Sequence, residues 1–106
     1  MPRNRRLLEA HFVCRNRRQV VDRNDGTFLT NWWVINPEHI YEGLVVALHE
    51  TRTRRSYLQG VVAEFRVREE SIAGRRQRRV EFLVRKTPLS LPWGGDGSGE
   101  KGFVWE

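Results

Sequence analysis

A chain of 106 residues with 19 Lys and Arg against 13 Asp and Glu, a formal net charge of +6, has room for one hydrophobic core and not for two. The basic excess favours polyanionic partners such as nucleic acid or an anionic surface, and it is an arginine excess: Lys86 and Lys101 are the only lysines. A lone cysteine, Cys14, excludes an internal disulfide framework and points to a reducing, cytoplasmic setting, and no apolar run reaches the roughly 18 residues of a membrane-spanning helix.

In the N-terminal "MPRNRRLLEAHFVC", Glu9 and His11 interrupt the apolar stretch before it reaches signal-peptide length. Leu7, Leu8, His11 and Phe12 fit one helical face, whereas "HFVC" and "QVVD" around a polar "RNRR" fit a short hairpin. Strands are expected, because a β-rich remainder needs pairing partners. "RNDGT" predicts a turn in which Gly26 supplies positive φ. "WWVIN" and "LVVALHE" read as two further strands, with "PEHIYEG" as a loop containing at most one helical turn.

After the loop "TRTRRS", the strongest periodicity begins. Val61, Ala63, Phe65 and Val67 alternate with Val62, Glu64, Arg66 and Arg68, and Val80, Phe82 and Val84 alternate with Glu81, Leu83 and Arg85. These predict two half-buried strands joined by a longish, arginine-rich connection, "ESIAGRRQ". Gly60 within the first predicts a bulge or a close backbone approach, and "GFVWE" predicts a terminal strand. The fold class expected is mainly β: residues 1–106 form a single domain, a small, strongly bent antiparallel sheet or β-barrel with at most one or two short helices.

The closing "LPWGGDGSGEKGFVWE" spells G-x-G-x-x-G-x-V, yet only four residues follow Gly102, so no phosphate-binding helix can form on it. Gly94 and Gly99 have Walker spacing, but Glu100 stands where the lysine belongs. Five glycines within nine residues therefore serve either a ligand-lining loop or the route to a last strand.

Adjacent Trp32 and Trp33 on a strand point to opposite faces, so one can enter the core while the other offers a stacking surface for a base. Basic residues cluster in three places: Arg3, Arg5 and Arg6 with Arg15, Arg17 and Arg18; the loop Arg52, Arg54 and Arg55; and Arg75, Arg76, Arg78 and Arg79. Together these predict a non-catalytic module for RNA or DNA, with Arg52, Arg54, Arg55, Arg75, Arg76 and Arg78 on phosphates and Trp93, Gly95 and Gly97 beside the paired tryptophans in an aromatic pocket. No cofactor is implied, and His11, His39, His49 and Cys14 lack metal-ligand spacing. Two alternatives stand beside the binding module. One is a metal-independent ribonuclease using His39 or His49 as base with Tyr41 or Tyr57; the other is an adaptor that dimerises through an aromatic sheet face.

From "WWVIN" through "GLVVALHETRTRRSYLQGVVAEFRV" the chain loosely resembles the PUA-like superfamily, especially EVE-type domains: a Trp-containing strand, a strand after a glycine, a short loop, then a long strand with an internal glycine. The resemblance covers about residues 31–85. It implies a small bent barrel that binds RNA or reads a modified base, with Trp32 or Trp33, Ser56 and Tyr57 lining the pocket.

Overall fold

The alternating segment after Leu58 forms the longest strand of the molecule, seen in a computed structural model that describes residues 5–95 and 99–106. Its buried face is not the expected one, since a register shift between Val62 and Glu64 keeps Val62 in the core and leaves Phe65 and Val67 exposed. The strands are β1 (Leu7–Val13), β2 (Val20–Asp22), β3 (Thr27–Val34), β4 (Val45–His49), β5 (Leu58–Ile72), β6 (Arg75–Lys86) and β7 (Lys101–Trp105). They form one sheet in the order β2-β3-β6-β5-β4-β1-β7, so the domain is mainly β. Two single turns of 3-10 helix, Arg15–Arg17 and Pro37–His39, interrupt it; Asn36 caps the second by accepting from the Glu38 amide. No helix among the described residues is long and apolar enough to cross a membrane.

The sheet differs from a purely antiparallel one at a single junction. β1 pairs with β4 in parallel, Ala10 opposite Val46, because the chain leaves β1 to build β2 and β3 at the far end of the sheet before returning. The expected hairpin between "HFVC" and "QVVD" is therefore absent: β2 pairs with β3, and β1 lies between β4 and β7. Nor does the sheet close into a barrel, since β2 and β7 are its two ends and do not pair with each other.

The β5–β6 connection is tighter than its sequence suggests. Pairing runs on to Ile72 opposite Arg75, leaving Ala73 and Gly74 alone in the turn, both with positive φ (52° and 77°). Two consecutive positive φ values are the signature of the hairpin turn whose twist matches the strands. Arg75, Arg76 and Arg78 consequently sit on β6 in an exposed two-stranded arm that extends past the end of β3.

The concave side holds the core, with Phe12, Phe28, Phe82, Val46, Leu48, Val62, Val80 and Val84 almost wholly buried. Gly60 allows β5 and β6 to approach at this point: a Cβ there would lie 1.9 Å from the Arg85 carbonyl oxygen.

Candidate nucleic-acid interface

An open sheet leaves a seam, here between β7 and the end of β3. Lys101 crosses it, its ammonium donating to the Val34 carbonyl at 3.0 Å. Three cavities follow one another along this seam. The first, about 550 Å³, is lined by Cys14, Arg15, Arg18, Arg52 and Glu100. The second, about 380 Å³, lies beside Trp32, Val34, Arg79 and Lys101 and shares Gln19, Gly99 and Glu100 with the first. The third, about 310 Å³, is bounded by Leu7, Val34, Ile35, Phe103 and Trp105. Since β7 runs antiparallel to β1, with Lys101 opposite Phe12 and Trp105 opposite Leu7, the groove has the length of β1. Seven residues at about 3.3 Å each give about 23 Å.

The arginines divide into two populations. On the outer face, Arg66 pairs with Glu81, and Arg68 and Arg79 pair with Glu70; at the end of β6, Lys86 pairs with Asp22 at 2.7 Å. Burial opposes ionisation of Glu81, but hydrogen bonds from Asn31 and Arg66 outweigh it and hold the carboxyl below its usual range. Around the groove, Arg5, Arg6, Arg15, Arg18 and Arg52 have no carboxylate within ion-pair distance among the described residues. Three of these rest on aromatic faces: Arg5 over Trp105 (5.6 Å), Arg6 over Tyr41 (4.4 Å) and Arg52 over Trp93 (5.2 Å). Stacking fixes a guanidinium without consuming its N–H donors, which remain available to an anion.

A register shift between Thr30 and Trp33 gives β3 one extra residue against β6 and sends the adjacent tryptophans to opposite sides. Trp33 is 6% exposed, stacks on Phe12 at 4.3 Å and donates to the Thr30 hydroxyl, so it is a core residue whose edge reaches the central cavity. Trp32 is half-buried, borders that cavity, and carries the Arg68 guanidinium 4.3 Å from its ring centre.

The remaining residues singled out by sequence take structural positions. The Ser56 hydroxyl is buried, donating to Gln59 and accepting from the Leu91 amide. Tyr57 donates to the Cys14 carbonyl at 2.7 Å, and its ring carries Arg17. Arg55 is spent on Ser90, and the Arg54 carbonyl accepts from His49. Trp93 lies over His11 and His49, with ring centroids 5.7 and 5.0 Å away.

The glycines explain how Trp93 reaches that place. A Cβ on Gly95 would fall 2.1 Å from the Phe103 carbonyl oxygen, and one on Gly102 2.6 Å from the Gly94 oxygen and 2.8 Å from the Trp93 ring. Residues 93–95 thus lie directly on β7 and form a packing surface for the last strand. Gly97 falls outside the described residues.

Beneath Trp93 runs a hydrogen-bonded file that sequence spacing does not reveal. The Arg54 carbonyl accepts from His49 Nδ1, His49 Nε2 lies 2.8 Å from His11 Nδ1, and His11 Nε2 lies 2.8 Å from Glu9 Oε1. Both imidazoles are fully buried. His49 Nδ1 must carry a proton to reach a carbonyl, and a neutral His49 then accepts at Nε2 from His11 Nδ1. Burial, and then the charge of His11, push the His49 pKa below the ordinary imidazole value. Of the two histidines considered as general bases, His49 has both nitrogens engaged and faces no solvent; His39 borders the groove's end.

No family model, curated protein or solved structure matches this chain.

Proposed function

We propose that the protein binds a single strand of nucleic acid along the seam between β3 and β7, without chemistry on it. The observation that carries this reading is the set of arginines that meet no carboxylate among the described residues, Arg15, Arg18 and Arg52 at one end and Arg5 and Arg6 at the other, with Trp32 and Trp105 between. A positive groove with aromatic faces along it is the usual design for following a phosphodiester backbone while stacking bases. The Lys101 side chain alone spans the seam to the Val34 carbonyl, and a duplex is wider than that reach, which favours a single strand. RNA is the ligand that the resemblance to PUA-like domains implies. The exposed arm bearing Arg75, Arg76 and Arg78 adds long-range attraction at the rim of the domain.

Fluorescence anisotropy with a mixed-sequence single-stranded oligonucleotide at low salt tests this reading. Saturable binding that Arg18→Glu weakens at least tenfold supports it; absence of binding, or binding indifferent to Arg18→Glu, refutes it. The cleavage alternative retains one base, His39, beside Arg5 and Arg6. RNA left intact after long incubation with concentrated protein removes it.

A further inference from the structure

The groove does not end as it begins. At the Trp105 end the apolar cavity of about 310 Å³ shares Leu7, His39 and Trp105 with a larger, basic cavity of about 590 Å³, to which Arg5, Arg6 and Tyr41 contribute. Trp105 separates the two: the Arg5 guanidinium lies over its ring at 5.6 Å, and His39 meets it edge-on at 4.9 Å. Tyr41 is locked in place by its hydrogen bond to the Leu7 carbonyl (2.7 Å) and holds Arg6 on its ring. Two guanidiniums are therefore fixed at the mouth of an aromatic chamber, with Glu38 as the one carboxylate-bearing residue, among the described residues, that lines the basic cavity.

We infer that this paired cavity is a pocket for the terminal nucleotide of a strand, base in the apolar chamber and terminal phosphate monoester between Arg5 and Arg6; the inference rests on the seam as the strand's path. A phosphodiester within a strand carries one charge and two free oxygens, which one guanidinium satisfies. A terminal monoester carries close to two charges and three free oxygens, which match two guanidiniums. The apolar chamber suits a planar base, since among its lining only Asn36 and the His39 edge are polar. The shared chemistry is a nucleotide monoester, at the 5′ or the 3′ end.

The test compares short single strands of one sequence bearing a 5′-phosphate, a 3′-phosphate or hydroxyls at both ends, together with adenosine 5′-monophosphate alone. One phosphorylated strand should bind about tenfold tighter than the hydroxyl strand, the scale of an added charge-assisted contact. Arg5→Gln with Arg6→Gln, both at exposed positions, should erase that preference, while Arg18→Gln weakens all three strands alike. Equal binding of the three strands, or a preference that survives loss of both arginines, overturns the pocket and leaves the seam standing. If no strand binds, the seam reading fails and the mononucleotide decides. A shift of the Trp105 indole resonance that the double variant abolishes upholds the pocket, and an unmoved resonance overturns it.

Discussion

Acidification should destabilise this fold through His49, and the direction and size follow from its surroundings. Its pKa is lowered in the folded state chiefly by burial, so the unfolded chain, with an imidazole near the ordinary 6.5, binds the proton more readily. Stability is then constant above about pH 6.5 and falls as pH drops below it, because the unfolded state takes up a proton that the folded state refuses. Burial explains the refusal: the ring is wholly enclosed beneath Trp93, and no solvent reaches a charge placed on it. One group contributes at most about 1.4 kcal/mol per pH unit, so between pH 6.5 and 5 the loss is bounded at about 2 kcal/mol. In a domain of this size that bound corresponds to a fall in Tm of no more than about 8–16 °C. The carboxylates do not interfere. Asp22, lowered by the hydrogen bond from Lys86, and Asp25, lowered by that from Thr27, lose their contributions only below about pH 4. Thermal melts followed by circular dichroism from pH 8 to pH 5 measure the effect, and His49→Gln should flatten it. A wild-type Tm unchanged over that range, or an equal fall in the variant, would refute the reasoning.

Other outcomes follow from the packing. Gly102→Ala drives a methyl into the Gly94 carbonyl and the Trp93 ring, so calorimetry should record a loss of about 1–3 kcal/mol. Cys14, pushed up to about 12 by burial, should stay unreactive to a thiol reagent in the folded protein and react at once in denaturant. Trp33→Ala should cost about 3–5 kcal/mol of stability, whereas Trp32→Ala should leave Tm nearly unchanged and weaken strand binding by about 1–3 kcal/mol. Reversal of those two roles would contradict the assignment of faces.

What the sequence disclosed was local. The period-two pattern of β6, the Gly60 approach, the turn at Gly26 and the opposed faces of Trp32 and Trp33 depend on near neighbours, and each was readable. β5 was readable as a strand but not in its buried face, because the register shift between Val62 and Glu64 leaves Phe65 and Val67 exposed. The tight β5–β6 turn was hidden because Ala73 adopts positive φ, a conformation its chemistry does not advertise. The N-terminal pairing was hidden for another reason: β1 finds β4 and β7, tens of residues away, while the adjacent "QVVD" goes to β3. The groove inherits that problem. Arg5, Arg6, Arg15 and Arg18 were visible as a basic cluster, but their placement along a seam with Lys101 and Trp105 exists only once β7 is laid against β1. The His11–His49 contact likewise joins residues 38 apart, through the parallel β1–β4 pair.

The salt dependence of strand binding tests the seam most directly. Five arginines, Arg5, Arg6, Arg15, Arg18 and Arg52, are positioned to displace counterions from a single strand. At about −0.7 per phosphate neutralised, log affinity should fall against log salt with a slope of about −3.5, about a hundredfold loss between 50 and 200 mM. Arg15→Gln with Arg18→Gln should reduce the slope by about 1.4. A slope near zero, or one that the double variant leaves unchanged, would contradict a strand held in this groove.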